Sequence, residues 1–307
     1  MAMALVLGAT GHIGAHIVRA LLAEGHTVRA AYRNPRMLWM LEELPVERAL
    51  VDIETLEGLP AALQGCDWVF HAAGYYPRRG QSRQACVDRG ASSTRRLLEA
   101  VAAARPQRLV FTSSAATIAH RPDRPSTELD VEPWPAAPPR SLYATVKIAM
   151  EQEALRAARD GLPVVIVNPS ICLGEYDAHQ LSGRLILAYA KYRVPWYADY
   201  TFNGVYTGDV GVGHVRAAAR GRCGERYLLT GHTMTLQAFS GIVARILGRR
   251  PAWWKLPSWV FNIVAPGVRR MQRLDGSKAV RELGVPQTSL DVAVERAIRW
   301  FRQYGYL

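Results

Sequence analysis

The chain has 307 residues, 49% hydrophobic and 21% charged, an ordinary globular composition with length for one large core or two modest ones. Its apolar runs are broken by charge or proline well short of the ~20 residues of a membrane span. The N-terminus lacks the basic and apolar regions of a signal peptide, so the chain reads as made and kept in the cytoplasm. The net charge of +12 allows nucleic acid as a partner. The basic residues are scattered, however, and no block of five or six like charges occurs, which fits an arginine-rich surface with a phosphate-bearing ligand better.

In chain order, short apolar runs at residues 4–7, 27–32, 48–51, 68–71, 109–112 and 164–168 predict strands. Helical periods lie between them at 12–23, 37–43, 56–64, 92–104 and 143–159. This alternation predicts a parallel sheet with crossover helices on both faces. The first strand runs into GATGHIG, whose spacing is GxxGxxG. Gly8 permits a sharp turn, Gly11 lets the backbone approach a pyrophosphate, and Gly14 lets helix and strand pack closely. The helix N-terminus then offers free N–H groups to phosphate. A bare glycine turn is the alternative; the strand-turn-helix setting favours a dinucleotide.

Strand two ends RAAYRNPR, with Tyr32 where an acidic residue would select NAD, followed by Arg33 and Arg36. An arginine fork suits a 2′-phosphate, so NADP(H) is favoured over NAD(H), unless both arginines merely open the next helix in solvent. Cys66, Cys86, Cys172 and Cys223 are far apart and form no CxxC pair, so reduced thiols are expected and no metal site. Residues 120–141 form a long proline-rich stretch expected over the carboxyl edge of the sheet. SLYATVK places Tyr143 and Lys147 four apart, on one helical face. A nearby ammonium favours phenolate, and a positioned tyrosine can then exchange a proton with a carbonyl or alcohol oxygen. The hydroxyls of Thr112, Ser113 and Ser114 end a strand, where they either open into a ligand crevice or cap the strand.

After about residue 169 the alternation fails, and 170–206 reads as loop. A strand at 227–229 and helices at 235–247, 277–283 and 290–304 follow. Tyr75, Tyr76, Tyr176, Tyr189, Tyr192, Trp196, Tyr197, Tyr200, Phe202 and Tyr206 either wall a flat, greasy substrate or pack a lid. Arg184, Lys191 and Arg193 either grip a nucleotide-sugar diphosphate or stay solvated. WWKLPSWVF, with basic neighbours, could touch a membrane surface, although Pro257 and Pro266 break any long amphipathic helix.

The ordered set GATGHIG, VDI, HAAG, VFTSSA, YATVK and VNPS resembles the extended short-chain dehydrogenase/reductase family, over nearly the whole chain. It is most similar to the branch of dihydroflavonol reductase-like and hopanoid-associated sugar-epimerase-like proteins. The resemblance implies a Rossmann-type doubly wound α/β fold. Residues 1–169 would bind the dinucleotide, and 170–307 would form a small mixed, mainly substrate-binding region whose last elements pack back on the core. It implies Ser114, or its neighbour Ser113, as the catalytic hydroxyl and Tyr143 as general acid/base. Lys147 would bond the nicotinamide ribose and hold the tyrosine's pKa down. The turn Gly8, Thr10, Gly11, His12, Ile13 and Gly14 would bind the cofactor, with Arg33 and Arg36 at its phosphate. Asp52 and Ile53 would bracket the adenine, Ala72, Ala73 and Gly74 would lie along the cofactor, and Pro169 and Ser170 would support the nicotinamide amide. Relatives pair through two long helices, so a homodimer is expected. Three departures stand out: Asp88 where relatives carry Asn in VNxxGT, Asn168 where they carry Arg before the proline, and a short segment before DGSK.

The leading expectation is an NADP(H)-dependent oxidoreductase that reduces a carbonyl, or in reverse oxidises the alcohol, on a hydrophobic or polycyclic molecule. A nucleotide-sugar epimerase or dehydratase that keeps bound NAD, and a non-catalytic dinucleotide sensor, are the alternatives.

Overall fold

The computed structural model describes residues 1–77, 80–131, 141–257, 259–260 and 273–307. Six apolar runs of the first half form strands: β1 (Met3–Leu7), β2 (Thr27–Tyr32), β3 (Glu47–Leu50), β4 (Trp68–His71), β5 (Arg108–Thr112) and β6 (Val164–Pro169). All pair in parallel, in the order β3-β2-β1-β4-β5-β6, and a late strand, β10 (Arg226–Leu229), adds beside β6. Such a sheet is covered on both faces, which is why its strands read as continuous apolar runs rather than alternating ones. One face packs beneath α1 (His12–Ala23) and α6 (Thr207–Arg220), the other beneath α2 (Leu59–Leu63), α3 (Arg83–Ala103) and α4 (Leu142–Arg159).

Side-chain caps fix the long helices. Ser82 accepts from Ala85 N at 3.1 Å and Ser141 from Ala144 N at 3.4 Å. The cap at Ser82 starts α3 nine residues ahead of the predicted 92–104 helix. The sequence hid this turn behind Gly90, which in fact serves helix contact: a Cβ there would stand 2.9 Å from Val146 of α4. The predicted 37–43 helix is a 3₁₀ segment, Pro35–Leu41.

The loop expected at 170–206 is instead structured. It holds β7 (Ile171–Leu173), α5 (Arg184–Ala190), β8 (Trp196–Ala198) and β9 (Thr201–Tyr206). β9 joins β7 and β11 (His232–Thr235) in one small sheet, and β8 pairs with β12 (Trp254–Leu256) in another. Helix α6 was also missed, because TGDVGVGH looks like turn sequence. Its Gly211 lies so close to α1 that a Cβ would come within 2.7 Å of the His16 carbonyl group. α7 (Leu236–Leu247) and the C-terminal helix Leu290–Gln303 pack on β9 and α5 around a third core of Phe202, Phe239, Trp300 and Phe301.

The described part of the proline-rich stretch does not roof the carboxyl edge. It folds beside β10, where Glu128 accepts the Leu228 N–H at 2.8 Å and Asp130 pairs with Arg121 and Arg124. Residues 132–140 of that stretch, and Pro266 with most of the segment before DGSK, lie outside the described residues.

Candidate active site

The carboxyl ends of β1, β4, β5 and β6 open on one cleft of about 740 Å³, a size suited to a sizeable ligand. Gly8, Thr10, Gly11, His12 and Ile13 line one end, with Arg33, Ile53, Ala72, Ala73 and Gly74 alongside. Ser113, Ser114, Tyr143, Lys147, Pro169 and Ser170 line the other. Gly8 sits at φ +85°, a conformation that favours glycine, and a Cβ there would strike Ala73 at 3.0 Å. His12, one turn on, meets Thr207 of α6 across 2.9 Å, and burial lowers its pKa.

Three expected residues stand apart from this cleft. Gly14 is a packing glycine: a Cβ would lie 2.0 Å from the Gly8 carbonyl oxygen, so helix and strand would be forced apart. Asp52 turns its carboxylate back to accept from Glu54 N at 2.7 Å and Thr55 N at 3.4 Å, leaving Ile53 alone at the cleft. Arg36 is exposed beyond the cleft wall, so the arginine fork reduces to Arg33, which also faces Glu54 at 3.8 Å.

At the reactive end, α4 presents Tyr143, Lys147 and Glu151 four residues apart, on one face. The Ser114 hydroxyl lies beside the Tyr143 phenol, near enough to act on its pKa. Ser113 turns inward instead and donates to Glu151 at 2.5 Å. Tyr76 stacks on the Tyr143 ring at 5.8 Å, and Lys147 Nζ lies 5.7 Å from the Tyr76 ring centre. Burial pushes the Lys147 ammonium down to about 8, opposed by the negative Glu151. Burial likewise raises the Tyr143 phenol above its ordinary value, with the Ser114 hydroxyl acting against it. The expectation that Lys147 holds this phenol acidic is therefore corrected for the cofactor-free chain, in which desolvation wins.

Lys147 is a buried residue, but its Nζ reaches the cleft and has no hydrogen-bond partner among the described residues. It stands directly over Gly74, where a Cβ would come within 2.8 Å of it. A buried ammonium without acceptors is costly. A diol held over Gly74 would satisfy it, and the glycine leaves the space. The residues present thus fit a nicotinamide dinucleotide along the cleft.

Several residues escaped the sequence reading. Glu151 is buried and takes bonds from Ser113, Thr117 at 2.9 Å and Asn168 at 2.6 Å, while pairing with Arg226 at 3.2 Å. It ties β5, β6 and β10 to the helix that carries Tyr143. Its signal was available, since it continues the Tyr143–Lys147 spacing by one more turn. Asn168, read as a departure, is one of its donors. Asp88 is a departure of another kind: it is exposed on α3 and accepts from Gln84, away from the cleft. His71 and Thr94 face a side cavity of about 290 Å³ behind Gly74, where His71 Nδ1 and Thr94 Oγ1 lack partners among the described residues. Burial, with Lys147 adding to it, pushes His71 down to about 3, so the ring is neutral.

The eight aromatics of 170–206 do not wall the cleft. Tyr189, Phe202 and Tyr206 are buried in the third core and Tyr176, Tyr197 and Tyr200 pack against it; Cys172, Asp177, His179, Leu181 and Ser182 line the cleft there. Of the earlier pair, Tyr75 is buried and bonded to Gln81, and only Tyr76 reaches the cleft. Arg184, Lys191 and Arg193 also lie outside it. Among the described residues no cluster of three metal-ligating side chains occurs, and no helix is long and apolar enough to cross a membrane.

This geometry has a counterpart among known proteins. Residues 4–227 match the model of the NAD dependent epimerase/dehydratase family. The chain belongs to that family. It is 33% identical to a protein of Synechocystis sp. that carries the name dihydroflavonol 4-reductase, over 98% of this chain and 95% of that one. It is 32% identical to sterol demethylase protein B of Methylococcus capsulatus, over 99% of both. Among solved structures, a nucleoside-diphosphate-sugar epimerase from Pseudomonas aeruginosa superposes with a TM-score of 0.84 at 31% identity, over 100% of this chain and 99% of that one. The protein is an NAD(P)-dependent enzyme of the extended short-chain dehydrogenase/reductase type, with the Rossmann-type sheet its sequence predicts.

Proposed function

We propose that this enzyme reduces a carbonyl group on a hydrophobic small molecule, with NADPH favoured as the reductant. When bound, the cofactor supplies a hydride, with both its electrons, to the carbonyl carbon. Tyr143 gives the proton that the carbonyl oxygen needs to become a hydroxyl. Ser114 bonds that oxygen and the tyrosine together, and Lys147 holds the nicotinamide ribose and returns a proton toward Tyr143 from solvent. The observation that carries this reading is the convergence of Ser114, Tyr143 and Lys147 on one end of the cleft, with a Lys147 ammonium that lacks a hydrogen-bond partner among the described residues standing over Gly74. The raised phenol also fits reduction, because at neutral pH it carries the proton that the reaction consumes.

The cleft composition supports a reductase over a nucleotide-sugar enzyme. Among the described residues, Arg33 and Lys147 are the arginines and lysines that line it, and both stand at the cofactor side, which favours an uncharged substrate over a sugar diphosphate. The names of the Synechocystis and Methylococcus relatives point to flat or polycyclic substrates; that of the Pseudomonas neighbour points to the alternative. Arg33 supports NADP(H) through its place at the cleft wall. We further propose that the enzyme acts in the cytoplasm as a homodimer joined through α3 and α4, which light scattering of the purified chain would test.

The deciding experiment follows NADPH absorbance against a panel of aromatic and polycyclic ketones. Stoichiometric consumption is expected, with Tyr143→Phe lowering kcat about 10²- to 10⁴-fold at unchanged dinucleotide affinity. Tightly retained NAD and redox-neutral turnover of a nucleotide sugar would establish the epimerase reading instead. Dinucleotide binding with no turnover of either class would leave a sensor.

A further inference from the structure

The most exposed large aromatic side chains of the second half lie outside the cleft, in and beside the β8–β12 pair and the cavity next to it. Trp253 is 77% exposed, Trp254 50% and Tyr192 69%, with Trp259 at 68% two residues past Pro257. They are not on a loose loop. β12 pairs in parallel with β8, placing Trp254 opposite Trp196, and Trp253 N donates to the Pro195 carbonyl at 2.9 Å. Beside Trp253 opens a cavity of about 630 Å³ that Arg193, Arg249 and Arg250 line together. Arg249 bonds the Ala190 carbonyl at 2.6 Å, whereas Arg193 and Arg250 have no carboxylate partner among the described residues. The nearby Lys255 is neutralised by Asp199 at 3.2 Å.

We propose that this face docks the enzyme on an anionic lipid bilayer. Tryptophan and tyrosine settle at the headgroup level because their rings are apolar and their N–H or O–H is not. Three clustered arginines add attraction to phosphate headgroups, and the open cavity gives a headgroup room between them. The contact is peripheral, made by a β-ribbon rather than an amphipathic helix, so Pro257 is no obstacle to it. A second copy is a poorer occupant, since it would bring the same arginines face to face. The face also has a route to the active site. Helix α5 spans about 10 Å, and Ser182 just before it lines the cleft while Tyr189 on its last turn lines the arginine cavity. A substrate dissolved in the bilayer would thus enter close to where the enzyme sits. The docking itself does not depend on the reductase reading.

The test sediments the full-length protein with vesicles of phosphatidylcholine alone and of phosphatidylcholine mixed with phosphatidylglycerol. Partition onto the mixed vesicles alone is expected, with a blue shift of tryptophan emission. Raising salt from about 0.1 M to about 1 M, which shortens the screening length from about 10 Å to about 3 Å, should release the protein. Arg193→Gln with Arg250→Gln should weaken partition about 25-fold, about fivefold per charge. Trp253→Ser with Trp259→Ser should weaken both partition and the blue shift, and unchanged dinucleotide binding by each variant certifies the fold. No partition onto either vesicle overturns the proposal, as does equal partition onto both. Single-stranded oligonucleotide binding lost in the arginine variant would reassign the face, as would a dimer lost in the tryptophan variant.

Discussion

The carboxyl edge of the parallel sheet and the aromatic stretch 170–206 both look functional in sequence, but they meet different fates. At the sheet edge, strand ends and one helix face bring Gly8, Ser114, Tyr143 and Lys147 to a single cleft although up to 139 positions separate them, counting from Gly8 to Lys147 (147 − 8). In the aromatic stretch, nearness in sequence produced no wall: the rings pack with Phe239, Trp300 and Phe301 into a core of their own. Polar groups at a strand's carboxyl end are useful because backbone geometry aims them outward. Large rings are drawn first to burial, because each removes so much apolar area from water. Type and placement together carried information; type alone did not.

That contrast can be broken experimentally. The largest stability effect belongs to the aromatic half: Phe202→Ala should cost about 3–5 kcal/mol, read by urea denaturation, while dinucleotide affinity in the surviving folded fraction stays unchanged. A change in cofactor binding would mean that the two regions are not separate in function. Next comes Glu151→Ala. It leaves Arg226, Ser113 and Asn168 without their shared acceptor and should cost about 3 kcal/mol, together with a fall in kcat as Ser113 and its neighbour Ser114 shift. Glu151→Gln should recover part of both losses, because it can still accept from Ser113.

A smaller effect separates the two arginines. Arg33→Ser should lower the preference for NADP over NAD about 10- to 100-fold, the worth of charge-assisted bonds of about 1.5–3 kcal/mol, whereas Arg36→Ser should change it less than about twofold. Equal losses would return Arg36 to the site. The smallest effect is in pH. With Lys147 at about 8, dinucleotide affinity should decline as pH rises through that value and the ammonium is lost. Stability of the cofactor-free chain runs the other way. Between about 8 and the ordinary lysine value of 10.5 the unfolded state holds the extra proton, so urea midpoints should rise with pH there and be flat just below it.

The sheet was legible because period and punctuation agree: β2 and β4 fall where their apolar runs do, and Gly8 to Gly14 mark the first crossover. α6 was not legible, because its glycines serve a helix crossing that no local pattern announces. The catalytic pair was legible as a spacing. The place of Glu151 on the same helix face was legible too, but its partners from β5, β6 and β10 belong to the tertiary fold. The bonding of Asp52 within its own loop depends on an Asx turn whose partner is Glu54 N, a choice made by the local backbone.

The outer strand of the main sheet carries one more consequence. On β10 the Leu228 N–H is taken by Glu128, and the Arg226 carbonyl by Lys278 at 2.6 Å. Those are groups to which an incoming strand would hydrogen-bond, so this rim of the sheet is blunted against growth by strand addition. Removing either side chain would uncover a sticky seam. Glu128→Ala or Lys278→Ala should therefore show itself less as lost catalysis than as clumping on prolonged warming.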